Sequence, residues 1–398
     1  RDDVESRGLG DVYKRQIFIS IITAAVLLLN SAAAVCAEEE DKFEFEDIPA
    51  ESVYIFEMET EEVIYERESE KILPMGHLAK LMTVLLAAED IETGKISFDD
   101  MVTVSPNANS KQGTQIWLDI GEKISVSELM QSITIGNAND GCTALAEYLS
   151  GSEKDYLNRA NKRAKRLGMG NTVFDDCCGM SENTVSTSSD MAKLTKELVR
   201  HKNLMEYFTT WMSKVRNQAV ELVSTNRLIR SYKGILGFKS AMTEKSGECA
   251  AIAVNKGDFG VGVIIMKAES HENSADISRN ILDKCFDEYF VYSPEISKDY
   301  LKKISVTGGQ KKKISVKLKG IRKTLLRRGM EYDFSETCEI PEYISAPVKK
   351  GDVIAEVDYY NGDEKLIECQ IVAAESVDSM NLGFAIKSCL FNLFNLKS

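Results

Sequence analysis

Leu78, Leu81, Met82, Leu85 and Leu86 recur at the spacing that puts side chains on one helical face. Pro74 and Gly76 end the extended segment before them, so the pattern predicts a buried helix from His77 to about Thr93–Gly94. Upstream, Ser52–Glu57 and Glu62–Glu66 predict two strands of a hairpin turning through Met58–Glu61. Downstream, Val102–Val104 predicts a short strand and residues 136–140 a loop. Helical periodicity predicts helices over 127–135, 142–149, 155–167, 190–201 and 273–290. Apolar runs at 235–240, 248–254 and 260–266 are broken by glycine-bearing turns and predict three strands. A hairpin, then helices, then three strands and a helix predicts one antiparallel sheet built from both ends of a 51–292 domain, with helices inserted.

After Tyr292-Ser293-Pro294 the texture changes to short alternating runs with turns at Gly308-Gly309 and Asn361-Gly362, which predict a small all-β domain over 293–377. In 378–398, Leu382, Ile386, Cys389, Leu390, Leu393 and Leu396 share one helical face opposite Asn381, Ser388, Asn392 and Asn395. That segment predicts an amphipathic helix anchored on a membrane surface; docking on the protein itself is the alternative. At the other end, Lys14-Arg15, the apolar run Ile17–Leu29 and the small residues up to Ala37 have the layout of a secretory signal peptide, after a non-native start. An exported protein at the outer face of the membrane or in the cell wall is expected. The acidic stretch 38–50 is expected to be a solvated linker.

A net charge of −13 over 398 residues excludes a nucleic-acid-binding role, which calls for a basic face. Nine Cys include no C-x-x-C pair, and the vicinal Cys177-Cys178 suits neither a zinc ligand set nor an easy disulfide, so scattered buried thiols are expected. With only His77, His201 and His271, and no two-His helical pair, no metal site and no cofactor are expected.

Candidate chemistry gathers at the His77 helix. Lys80 lies three residues on, one turn away on the same face. This stretch resembles the nucleophile helix of the serine D-alanyl-D-alanine carboxypeptidases, the low-molecular-mass penicillin-binding proteins, whose motif is Ser-x-x-Lys. Val185–Ala192, Thr225–Leu228 and Thr243–Cys249 resemble further stretches of that family in the same order. The resemblance covers roughly Glu51–Val377. It implies a β-lactamase/transpeptidase-like α/β fold, an antiparallel sheet flanked by helices, followed by the small all-β domain and the C-terminal amphipathic helix. It also implies carboxypeptidase activity on peptidoglycan stem peptides ending in D-Ala-D-Ala.

All three motifs depart from the family pattern. His77 stands where the nucleophilic Ser belongs, and no Lys in the chain has Ser or Thr three residues before it. Imidazole can attack acyl groups, but its ring places the nitrogen elsewhere. In the second motif Asn137 replaces the proton-relaying Ser, while Asn139 matches the backbone-gripping Asn. An amide holds a hydrogen bond but relays no proton near neutrality. The third motif, Lys-Thr-Gly, reads Lys239-Ser240-Ala241: charge and hydroxyl persist for a carboxylate, and the Ala241 methyl narrows the cleft. Three readings stay open: an impaired member that binds stem peptide or a cell-wall partner, a working carboxypeptidase with an altered nucleophile or a sequence error at position 77, and a structural or partner-binding module.

Overall fold

The computed structural model describes residues 43–268, 274–295, 297–320 and 323–395. The expected signal peptide and His271 lie outside them. The chain divides into two units, 1–47 and 48–398. Of the first, residues 43–47 are described, and they end in a 3-10 turn, Phe45–Asp47, with Phe45 buried. A turn with a buried aromatic replaces part of the expected solvated linker.

The second unit is built on a five-stranded sheet in the order Val63–Arg67, Ala50–Glu57, Phe259–Ala268, Gly247–Lys256, Ile235–Thr243. Every pairing in it is antiparallel. The sheet therefore joins both ends of the first domain, as the element order predicts. Its strand Ile235–Thr243 is an edge, so one side of that backbone is left for the cleft.

The helix Lys80–Glu92 is buried on nearly every side, with Leu81, Met82, Val84, Leu85, Leu86, Ala87 and Ala88 in the core. A helix apolar all round belongs at a centre rather than on a surface. Complete burial of one such Leu contributes roughly 1.5–3 kcal/mol. The helix does not start as an α-helix at His77: Gly76–Ala79 forms a 3-10 turn first. Gly76 has φ +52°, and a Cβ there would meet the Ser246 hydroxyl at 2.4 Å, so this entry turn accepts only glycine.

Around it pack the helices Val126–Thr134, Asn139–Ser150, Glu153–Arg166 and Ser188–Arg200. Ser125 and Glu128 form a reciprocal capping box at the first of these. The second begins at Asn139, three residues before the predicted start. Asn-Ala-Asn-Asp has loop-like composition, but the Asp140 carboxylate accepts from Gly141 N and an acidic residue suits a helix N-terminus. A hairpin, Met212–Val215 with Val220–Val223, was not predicted, because neither run alternates clearly.

The helix Ser274–Glu288 stops short of the predicted end, and Tyr289–Tyr292 becomes a strand paired with Thr324–Arg327. The β-rich region that follows has a four-stranded sheet, Val316–Lys319, Glu364–Ala373, Val353–Asn361 and Phe334–Cys338, around Val357, Ile367, Cys369 and Ile371. The last described element is the helix Leu382–Asn395, where Leu382, Ile386 and Leu390 are exposed.

Candidate active site

The entry turn presents His77 and the first residue of the following helix, Lys80, to the same point. Lys80 is wholly buried, and its Nζ lies 2.9 Å from Nδ1 of His77 and 2.6 Å from the carbonyl of Asn137, to which it donates. Among the described residues these are its hydrogen-bond contacts, and neither is a hydroxyl. The same Nδ1 lies 3.1 Å from the carbonyl of Cys178. Two tautomers share this geometry. Either Nδ1–H donates to Cys178 and the Lys80 amine is neutral, or Lys80 donates to an unprotonated Nδ1. The ring is uncharged in both. Burial, and then the charge of Lys80, push the His77 pKa down to about 3. Burial likewise lowers the pKa of Lys80, against a smaller opposing effect of the thiols of Cys178, Cys142 and Cys177.

Asn137 sits in the left-handed region at φ +57°, which Asn tolerates better than most residues. Its Nδ2 donates to Thr225 Oγ1 at 3.2 Å, and Thr225 donates to the carbonyl of Ser240 at 2.6 Å. That chain of donors fixes the orientation of the amide and leaves Asn137 Oδ1 buried with no partner. Asn139 donates from Nδ2 to the carbonyl of Gln112 at 2.6 Å, and its Oδ1 is also buried and unpartnered. The loop carrying Gln112 is held by Asp140, whose carboxylate accepts from Ile116 N at 3.1 Å and Leu118 N at 3.1 Å.

The edge strand supplies the opposite wall. Lys239 is buried and donates to the carbonyl of Ile133 at 2.6 Å. Burial, then the positive charge of Lys80, push its pKa well down. Ser240 donates to Glu248 Oε1 on the neighbouring strand at 2.8 Å, so its hydroxyl is engaged inside the sheet. Ala241 is buried and pairs across from Cys249.

The structure thus brings together His77, Lys80 and Asn137 by direct contact, and links Asn137 to Ser240 through Thr225. Lys239 and Asn139 are anchored to backbone carbonyls beside them. Sequence reasoning gave no role to Thr225, the Gln112 loop or the carbonyl of Cys178. Thr225 stood in a recognised stretch. The other two act through backbone atoms, which side-chain identity does not reveal.

The chain as a whole is similar to known proteins. Residues 36–270 match the D-alanyl-D-alanine carboxypeptidase family model, and residues 293–379 match that of the penicillin-binding protein 5 C-terminal domain. The chain is 30% identical over 373 residues to D-alanyl-D-alanine carboxypeptidase DacF of Bacillus subtilis, covering 92% of this chain and 95% of the relative. It is 24% identical to D-alanyl-D-alanine carboxypeptidase DacC of Escherichia coli, covering 89% and 90%. Penicillin-binding protein 5 from Haemophilus influenzae shares the fold, with a TM-score of 0.73 at 19% identity over 84% of this chain and 98% of that one. A chain with this match along most of its length, on this sheet and around this His77–Lys80 pair, belongs to the D-alanyl-D-alanine carboxypeptidase family, the low-molecular-mass penicillin-binding proteins.

Proposed function

We propose that this chain is an exported, catalytically impaired member of its family that engages D-Ala-D-Ala-ending stem peptides of peptidoglycan without cleaving them. The observation that carries this reading is the environment of Lys80 Nζ: an imidazole nitrogen and a backbone carbonyl, with no hydroxyl to deprotonate. Acyl transfer by the family's route needs a nucleophilic oxygen at that point. Attack through Nδ1 is disfavoured by the same contacts, because that nitrogen is turned to Cys178 and Lys80.

Retained binding is supported by Asn137 Oδ1 and Asn139 Oδ1. Both are oriented acceptors without donors, and peptide N–H groups are donors of the right kind. Both oxygens are buried, and the Gln112 loop lies against Asn139, so a peptide must displace neighbouring groups to reach them. Weak affinity follows, in the range of roughly millimolar, or about −4 kcal/mol. The exposed Leu382, Ile386 and Leu390, at four-residue spacing, support attachment to a membrane surface. No helix among the described residues is long and apolar enough to cross a membrane.

The test is a D-Ala release assay on a stem pentapeptide, run beside a titration with a D-Ala-D-Ala peptide. Saturable binding with background release is expected. Family-like release overturns the impairment. Absence of saturable binding, or unchanged binding in Asn139→Ala, overturns the peptide site and leaves a structural or partner-binding module.

A further inference from the structure

The thiols are free and mostly buried, as expected, but three of them are not scattered. Cys142, from the first turn of the helix Asn139–Ser150, meets the vicinal pair Cys177-Cys178, and the three sulfurs all lie within 4.8 Å of one another. All three residues are buried, at 0%, 0% and 2% exposure. The sulfurs of Cys177 and Cys178 are 3.5 Å apart, and Glu153 Oε1 lies 3.3 Å from the sulfur of Cys177. From this convergence of three thiols, with a carboxylate against one of them, we infer a binding site for a divalent thiophilic cation of the zinc class, with Cys142, Cys177 and Cys178 as ligands.

The dimensions suit the ion. Tetrahedral Zn–S bonds of about 2.3 Å place sulfurs about 3.8 Å apart, so the observed spacing needs only small side-chain adjustments. The backbone that presents the pair is shaped independently of the thiols. The Asp176 carboxylate accepts from Gly179 N at 3.1 Å, Met180 N at 2.8 Å and the Thr184 hydroxyl. Gly179, at φ +77°, lies so close to the carbonyl of Gly76 that a Cβ would stand 1.7 Å from it.

Charge selects the valence. Binding releases three thiol protons to solvent, and a divalent ion on three thiolates carries a net −1. Negative charge on these thiols favours the ammonium form of the buried Lys80, which would supply the balancing +1. A monovalent ion would leave an uncompensated negative charge in the core, which is costly. Glu153, whose side chain is 18% exposed and paired with Lys111, gives the ion a carboxylate at the protein surface through which to enter.

The contrary case is also well defined. As thiols, Cys142, Cys177 and Cys178 donate to the Cys177 carbonyl, Glu153 and the Asn139 carbonyl, each at 3.3 Å, and would then be an inert buried cluster.

The experiment uses the full chain, reduced and metal-free. Zn2+ is titrated against a chromophoric chelator, and Cd2+ serves as an optical probe whose thiolate charge-transfer band counts the sulfurs bound. One ion per chain and a band for three thiolates are expected. Cys142→Ser and Cys178→Ser should each weaken Zn2+ roughly 10–100-fold, whereas Cys249→Ser should not. Zn2+ should also protect Cys142, Cys177 and Cys178, but not the exposed Cys389, from alkylation mapped by mass spectrometry. The alkylation map and the Cd2+ band are read on the unsubstituted chain, so poor folding of a serine variant does not rescue the idea. No stoichiometric binding, a band for fewer than three thiolates, or unchanged affinity in Cys178→Ser overturns it.

Discussion

Lys80 Nζ stands 2.9 Å from Nδ1 of His77. A group suited to removing a hydroxyl proton therefore faces a ring that has none to give. Both side chains are buried, which lowers the tendency of each to carry a proton, and the charge of Lys80 lowers that of His77 further.

Restoring the hydroxyl alone should not restore the enzyme. His77→Ser puts an oxygen beside Lys80, but Asn137 still relays no proton. D-Ala release by His77→Ser is expected to stay near background. The double substitution His77→Ser with Asn137→Ser should exceed it by at least about tenfold, the lower end of a general acid's worth being higher still. Family-like turnover by His77→Ser would show that the other departures are harmless.

The depressed pKa of His77 makes stability depend on pH. Between about pH 6.5 and 3 the unfolded chain binds a proton at His77 that the folded chain does not, so this contribution is intact above pH 6.5 and declines as pH falls. The slope is about 1.4 kcal/mol per pH unit. Urea unfolding at pH 7 and pH 5 should therefore show wild type losing about 2 kcal/mol more than His77→Gln does. Equal losses would mean that the imidazole is protonated in the folded state.

Asp140 is expected to govern the loop over Asn139. Its carboxylate serves Ile116, Leu118 and Gly141, and Asp140→Ala strands three backbone donors. Destabilisation of about 3 kcal/mol is expected from chemical denaturation. Hydrogen exchange should rise first in residues 112–118, and unaltered exchange there would refute the role assigned to the carboxylate.

Removal of the segment from Leu382 onward should release the signal-cleaved protein from membranes without lowering its melting temperature, because Leu382, Ile386 and Leu390 are exposed rather than packed. Continued sedimentation with membranes would place the attachment elsewhere.

Much of this architecture was legible from periodicity. The three strands 235–268 and the opening hairpin emerge because alternation and β-branched runs report a sheet directly, and the Ser125 cap marks its helix by local chemistry. The 3-10 turn at His77 was not legible, since it depends on Gly76 meeting Ser246 from the turn between two distant strands. Of the site, Lys80, Asn137, Asn139 and Lys239 could be named from motif positions. Their actual partners could not, because the acceptors are backbone carbonyls of Asn137, Gln112 and Ile133. The thiol trio was hidden for a similar reason: Cys142 is 35 residues from Cys177 and joins it only when the helix docks.

The central claim is that the cleft lacks an acylating nucleophile. Intact-mass measurement of the full chain after incubation with benzylpenicillin tests it most directly, because the covalent adduct forms only where a nucleophile opens the lactam. An unchanged mass is predicted, with His77→Ser as the comparison. A stoichiometric penicilloyl adduct on the wild-type chain, mapped to His77 or any other cleft residue, would contradict it.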